Sequence, residues 1–246
     1  STHCISSAAS DVYKRQVDPI SEIEKYGVDA FRYCLMREVQ FGNDGDYSTK
    51  SVVTRINSDL ANDLGNLLNR TLGMYKKYFG GVVVNGATRD KYDDEIETLW
   101  TEVVKEVEEQ MNIVQYSKAL EAIWKFISRL NKYIDETAPW TLAKDEANKD
   151  RLAVVMNHLV DGLYKAAVMV YPYMPTSAQK IWNQLGETRD IHTAKVEEVL
   201  GWNLLKEGHV LGNAEPIFPR LDLEALEAPK KDPMQVNDCL LYTSDA

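Results

Sequence analysis

From Ser48 to Phe79 the chain reads STKSVVTRINSDLANDLGNLLNRTLGMYKKYF, and its apolar positions gather on one side of a helix. At about 100° per residue, Val53, Ile56, Leu60, Leu64, Leu67, Leu68, Thr71, Tyr75 and Phe79 form a single stripe. Asn62, Asn66, Arg70, Gly73 and Lys77 lie opposite it. The pattern predicts one long amphipathic helix, closed by Gly80-Gly81. Asn66 and Arg70 are four apart, so they project from the same face about 6 Å apart along the axis.

The same periodicity organises the rest of the chain. Asp18-Pro19 is a helix start, with a capping carboxylate before a proline at the first helical position, and Gly27 stops that helix. Asp29 is expected to cap a second helix, with Phe31, Cys34 and Leu35 facing inward and Arg32 and Arg37 outward. Gln40 to Asp46 reads as a tight turn. Its Asp44 and Asp46 lack the closing glutamate and further ligands of a calcium loop. Beyond Gly81 a polar connector with a brief extended segment leads to helices at about Asp93–Met111 and Tyr116–Glu136. The second must end before Pro139, because the residue preceding a proline is pushed out of the α region. Ala138-Pro139-Trp140 is therefore a corner. Helices at about Lys149–Val170 and Thr176–Leu185 follow, then a short helical piece near Val196–Leu200. An irregular segment with Pro216 and Pro219 leads to a last helical turn near Leu221–Leu226. The sum is an all-α helical bundle with short linkers and almost no strand alternation.

Composition narrows the function classes. The 246 residues can bury a large core, and no continuous apolar run approaches the length a membrane helix needs. The first residues lack the apolar core of a signal peptide, which makes the cytoplasm the expected compartment. Cys4, Cys34 and Cys239 share no metal-like spacing, and the four histidines are scattered, so no metal site is expected. The net charge of −10 argues against gripping nucleic acid through bulk counterion release. It leaves room for contact with a small, specific feature.

Catalytic chemistry is not visible in the chain. No glycine-rich phosphate loop and no nucleophile–base constellation stands out. Asn69-Arg70-Thr71 matches a glycosylation sequon, but it sits mid-helix and carries no weight. Two features remain. An exposed Asn–Arg pair is ordinary solvated surface on residue type alone, yet these side chains also suit paired hydrogen bonds to base edges. A tryptophan is usually core, yet on a proline corner its ring can face solvent, where an unstacked base could lie on it. Residue types leave both alternatives open.

Four blocks in order resemble the methionine–tRNA ligases, a family of class I aminoacyl-tRNA synthetases, from Val17 to about Leu223. These are VDPISEIEKYGVDAFRYCLMREVQFGNDGDYS, DLANDLGNLLNRTLGMYKKYFGG, IDETAPWTLAK and PIFPRLD. The resemblance implies that residues 17–47 are a linker from a catalytic domain and 48–225 an α-helical anticodon-binding domain. It implies that Asn66 and Arg70 read the anticodon and that Pro139 and Trp140 supply a stacking ring. It implies the anticodon loop of methionine tRNA and the family's catalytic domain as partners, with no membrane and no DNA. It implies no cofactor in this chain, ATP and magnesium in the parent enzyme, and no catalysis by the chain alone. The family's catalytic signatures are absent from these residues. Residues 1–16 and the end of the 226–246 tail do not resemble the family and read as foreign sequence. Two other readings stay open: an all-α protein-interaction scaffold, and the anticodon-binding domain of a sibling class I synthetase.

Overall fold

A computed structural model describes residues 17–39 and 47–227, so the Gln40–Asp46 turn, residues 1–16 and most of the 226–246 tail lie outside the described residues. Helix α1 spans Pro19–Tyr26, where the Asp18 carboxylate accepts from the backbone N–H of Ile20 and Ser21, both at 3.2 Å. Gly27, at φ 82°, ends α1 and starts α2 (Val28–Glu38). Two expectations fail here. Asp29 does not cap α2; it lies buried inside the first turn and accepts from Ser177 N at 2.5 Å. It thus caps a helix far along the chain, where a fixed carboxylate satisfies an N–H that has no partner within its own helix. Leu35 is 41% exposed, and Tyr33 takes the inward position instead, donating from its hydroxyl to Asp59 at 2.7 Å.

The long helix forms, but with a change of register that the 100° reading did not anticipate. It consists of α3 (Thr49–Arg55), a π-helical stretch (Ile56–Gly65) and α4 (Asn66–Phe79) in direct continuation. The cause lies in the spacing. Val52, Ile56, Leu60, Leu64, Leu68 and Leu72 recur every fourth residue, and all are buried. On a uniform α-helix such a row drifts by about 40° per step and winds away from the core. A π stretch holds more residues per turn, so the mixed helix keeps the row facing inward. Gly65 permits the end of that stretch: a Cβ there would stand 3.0 Å from the Leu60 carbonyl oxygen five residues back. The polar face opposite survives, with Asn62, Asn66, Gly73 and Lys77 exposed and Arg70 half-buried.

After Gly80, at φ 65°, come α5 (Lys91–Asn112) and α6 (Tyr116–Thr137), which pack as a hairpin. A single-turn α7 (Pro139–Leu142), α8 (Lys149–Val170), α9 (Pro175–Gln184) and α10 (Leu223–Glu227) complete the helices. The 196–199 segment is one 3-10 turn. Helix α8 is the axis of the bundle. By length and composition it could cross a membrane, but 94% of its apolar window is buried inside the protein, so it is a core helix. At Gly162 a Cβ would meet Leu130 of α6 at 2.6 Å, which brings α6 and α8 into close approach. Among the described residues there is no strand, only a single antiparallel bridge between Val82 and Val210.

The interior also holds satisfied charge. Asp93 is fully buried, receives two hydrogen bonds from Arg151 at 2.6 and 3.0 Å, and accepts from Tyr133 Oη at 2.5 Å. Burial alone would raise its carboxyl, but these bonds outweigh burial and hold it below the usual carboxylate range. Lys165 is likewise buried, donating to the carbonyls of Val199 and Gly201 between the rings of Trp100 and Trp202. Burial lowers it to about 8.

Candidate nucleic-acid interface

Asn66 is the first residue after the π stretch, and its exposed carboxamide has no hydrogen-bond partner among the described residues. Arg70 follows one turn later. Its Nη2 donates to Asp135 Oδ1 at 3.3 Å, and Asp135 is 68% exposed on α6. One level earlier, Asn131 of α6 donates to the Asp63 carbonyl at 3.1 Å. The two contacts step along both helices in the same sense. Helix α6 therefore runs beside the long helix and brings its C-terminal end toward Arg70.

That end carries the corner. Ala138 adopts a left-handed conformation, φ 42° and ψ 64°, and its N–H closes α6 on the Ile134 carbonyl at 3.0 Å. Pro139 is buried at the first position of α7, which places the bulky ring inward and turns the next side chain out. Trp140 is 43% exposed, stacks on no other aromatic ring, and its indole N–H meets no acceptor among the described residues. Asn66 and Arg70 thus share one face a turn apart. Trp140 stands five residues beyond Asp135 in the chain, and among the described residues its ring makes no cation–π contact with Arg70.

The arrangement is a surface, not a cavity. A concavity of 480 Å³ between α5 and α8 is lined by Val107, Met111, Val168, Tyr173 and others, and includes none of the four residues. A carboxamide offers a donor and an acceptor side by side, a guanidinium offers donors in a plane, and an indole offers a face. Together they match the edges and face of an unstacked base. Among the described residues no group of three His, Cys, Asp or Glu could hold a metal ion. Sequence reasoning missed Asp135, which orients the guanidinium. Only the register between two helices reveals that contact, and no local motif encodes it.

Comparison with known proteins identifies the fold. Residues 83–231 match the family described as the anticodon binding domain of methionyl tRNA ligase. Residues 7–72 match the class I tRNA synthetases of the methionine type, a range that includes Asn66 and Arg70 and begins inside the 1–16 segment. The free methionyl-tRNA synthetase of Mycobacterium tuberculosis superposes with a TM-score of 0.78 at 36% identity, over 84% of this chain and 41% of that one. The fold is therefore the anticodon-binding bundle of a class I aminoacyl-tRNA synthetase. The methionine–tRNA ligase of Fusobacterium nucleatum is 63% identical over 211 residues, 86% of this chain and 33% of the relative. That of Bacillus subtilis is 45% identical over 221 residues, 89% of this chain and 33% of the relative. The chain belongs to the methionine–tRNA ligase family and carries its anticodon-binding domain. It spans about a third of the length of the curated relatives it matches.

Proposed function

We propose that this chain reads the anticodon loop of methionine tRNA through Asn66, Arg70 and Trp140, with Pro139 fixing the corner that turns Trp140 outward. The observation that supports it most is that Asn66 and Trp140 are exposed with no partner among the described residues, while Arg70, one turn from Asn66, is tied to the C-terminal end of the helix that leads to Trp140. An anticodon is a single-stranded loop whose bases can be splayed out, stacked on an aromatic ring and read at their edges. Asn66 would supply paired hydrogen bonds, Arg70 donors held in place by Asp135, and Trp140 the stacking platform.

The reaction served is the ATP-dependent joining of methionine to its tRNA, carried out in the cytoplasm. ATP and magnesium act in the catalytic domain, and this chain contributes recognition. The apolar side chains of Val17, Ile20, Val28 and Leu35, each more than 40% exposed on the linker helices, are suited to packing against that domain. Aminoacylation assays on the isolated chain should yield no methionyl-tRNA. Affinity measurements on anticodon stem-loops test the recognition itself: a CAU loop should bind best, and equal binding of every loop would refute the proposal.

A further inference from the structure

We infer that Asn57 is a positioning residue for the reading face, holding a C-terminal strap that splints the π-helical stretch; the inference rests on the anticodon-reading proposal above. The strap, residues 211–221, runs antiparallel to the long helix from Gly81 back to Asn57. Leu211 N donates to the Gly81 carbonyl at 2.8 Å, and Lys76 Nζ donates to Asn213 Oδ1 at 2.9 Å. Further along, Phe218 packs at Gly65, with 3.9 Å between its ring carbon and the place a Cβ would occupy. At the far end Asn57 pairs with both backbone groups of Leu221: Nδ2 donates to the carbonyl at 2.9 Å, and Oδ1 accepts from the N–H at 2.8 Å. Gln184 of α9 makes the same two-bond pair with Glu215, both at 3.0 Å.

The strap is comparable in length to the helical segment it lies along, although it bends at Ile217 and Phe218. The 24 residues from Asn57 to Gly81 would span about 36 Å as an α-helix, somewhat less with a π stretch. The ten steps from Leu211 to Leu221 reach at most about 33–36 Å when extended. Pro216 and Pro219 limit its flexibility further.

The attachment points bracket the π register. Asn57 is its second residue and Gly65 its last. A π helix is rare and occurs mostly as single-turn bulges, so a ten-residue stretch is unusual. If it relaxed to α, each residue would advance through a larger angle, and the face carrying Asn66 and Arg70 would rotate about the axis. Arg70 would then leave Asp135, and Asn66, carried on the same α-helical segment, would turn with it. The carboxamide of Asn57 therefore sets the angular placement of side chains that it never touches.

The test compares the full chain with its Asn57→Ala and Asn57→Asp variants; the Asp variant keeps the acceptor for Leu221 N–H and loses the donor. Amide hydrogen exchange across residues 56–66 should accelerate at least about tenfold in Asn57→Ala while α8 stays protected. Affinity for a CAU stem-loop should fall about fivefold, and Asn66→Ala should lose most of its effect in the Asn57→Ala background, because the two would act through one geometry. Unchanged exchange across 56–66 overturns the splint whatever the RNA result. Accelerated exchange with unaltered CAU affinity, or with fully additive Asn57 and Asn66 effects, overturns the positioning role. If Asn57→Ala does not fold, the same criteria apply to Asn57→Asp. A wild-type chain that binds no loop selectively defeats the anticodon proposal instead, and exchange alone then decides the splint.

Discussion

The bundle uses the same residue types twice, once inside and once at the proposed reading end, with opposite results. Trp100 is 1% exposed, and its indole N–H donates to the Val199 carbonyl at 2.9 Å; Trp140 is 43% exposed with a free ring. Arg151 grips buried Asp93 with two bonds, whereas Arg70 touches exposed Asp135 once, at 3.3 Å. Asn157 donates to the Val84 carbonyl and accepts from Tyr75 Oη, whereas Asn66 engages nothing among the described residues. A polar group whose hydrogen bonds are satisfied internally stabilises the fold. One left open at a rigid place is available for a ligand at little cost in reorganisation. Commitment, not residue type, separates the two regions.

The contrast can be broken most severely from inside. Arg151→Ala leaves Asp93 buried and unpaired, which should cost about 3–5 kcal/mol of stability in urea unfolding. The acid limb carries the same signature. Because the folded-state pKa of Asp93 is depressed, its contribution is fully present above its ordinary value of 3.8 and lost as pH falls through the lower folded value. The urea midpoint should therefore drop below about pH 4, and Asp93→Asn should flatten that drop at the expense of stability at neutral pH.

At the reading end the effects should move from stability to binding. Trp140→Ala and Arg70→Ala should each weaken CAU stem-loop binding by about 1–3 kcal/mol while stability stays within about 0.5 kcal/mol. A large stability loss in either would place it with Trp100 and Arg151. The smallest effect expected is that of salt. With a net charge of −10, raising salt from 50 to 200 mM should weaken binding by less than about tenfold. A steeper loss would mean that phosphates, not bases, supply the affinity.

Much of this division is legible in the sequence, for identifiable reasons. Helix existence follows from periodicity, and the core stripe from Val53 to Tyr75 is buried as its spacing requires. The Pro139 corner follows from a steric rule that acts on neighbouring residues. The π stretch was visible in principle, as the strict four-residue repeat from Val52 to Leu72, but a fixed 100° step conceals it. Asp29 capping α9, Leu35 facing out and Asp135 beneath Arg70 were not legible. Each depends on which distant element packs alongside, and helical periodicity carries no information about that. The roles proposed for Asn66, Arg70, Pro139 and Trp140 came from the family resemblance; residue types alone read Asn66 and Arg70 as ordinary surface and Trp140 as ordinary core.

The central claim is that open side chains at one end of the bundle discriminate an anticodon. Its most direct test is the affinity of the wild-type chain for a CAU stem-loop against one altered only in the anticodon, repeated with Trp140→Ala. The account predicts that wild type prefers CAU by at least about tenfold and that Trp140→Ala erodes binding with its melting temperature unchanged. Equal affinity for both loops, or a Trp140→Ala variant that binds as tightly as wild type, would contradict it.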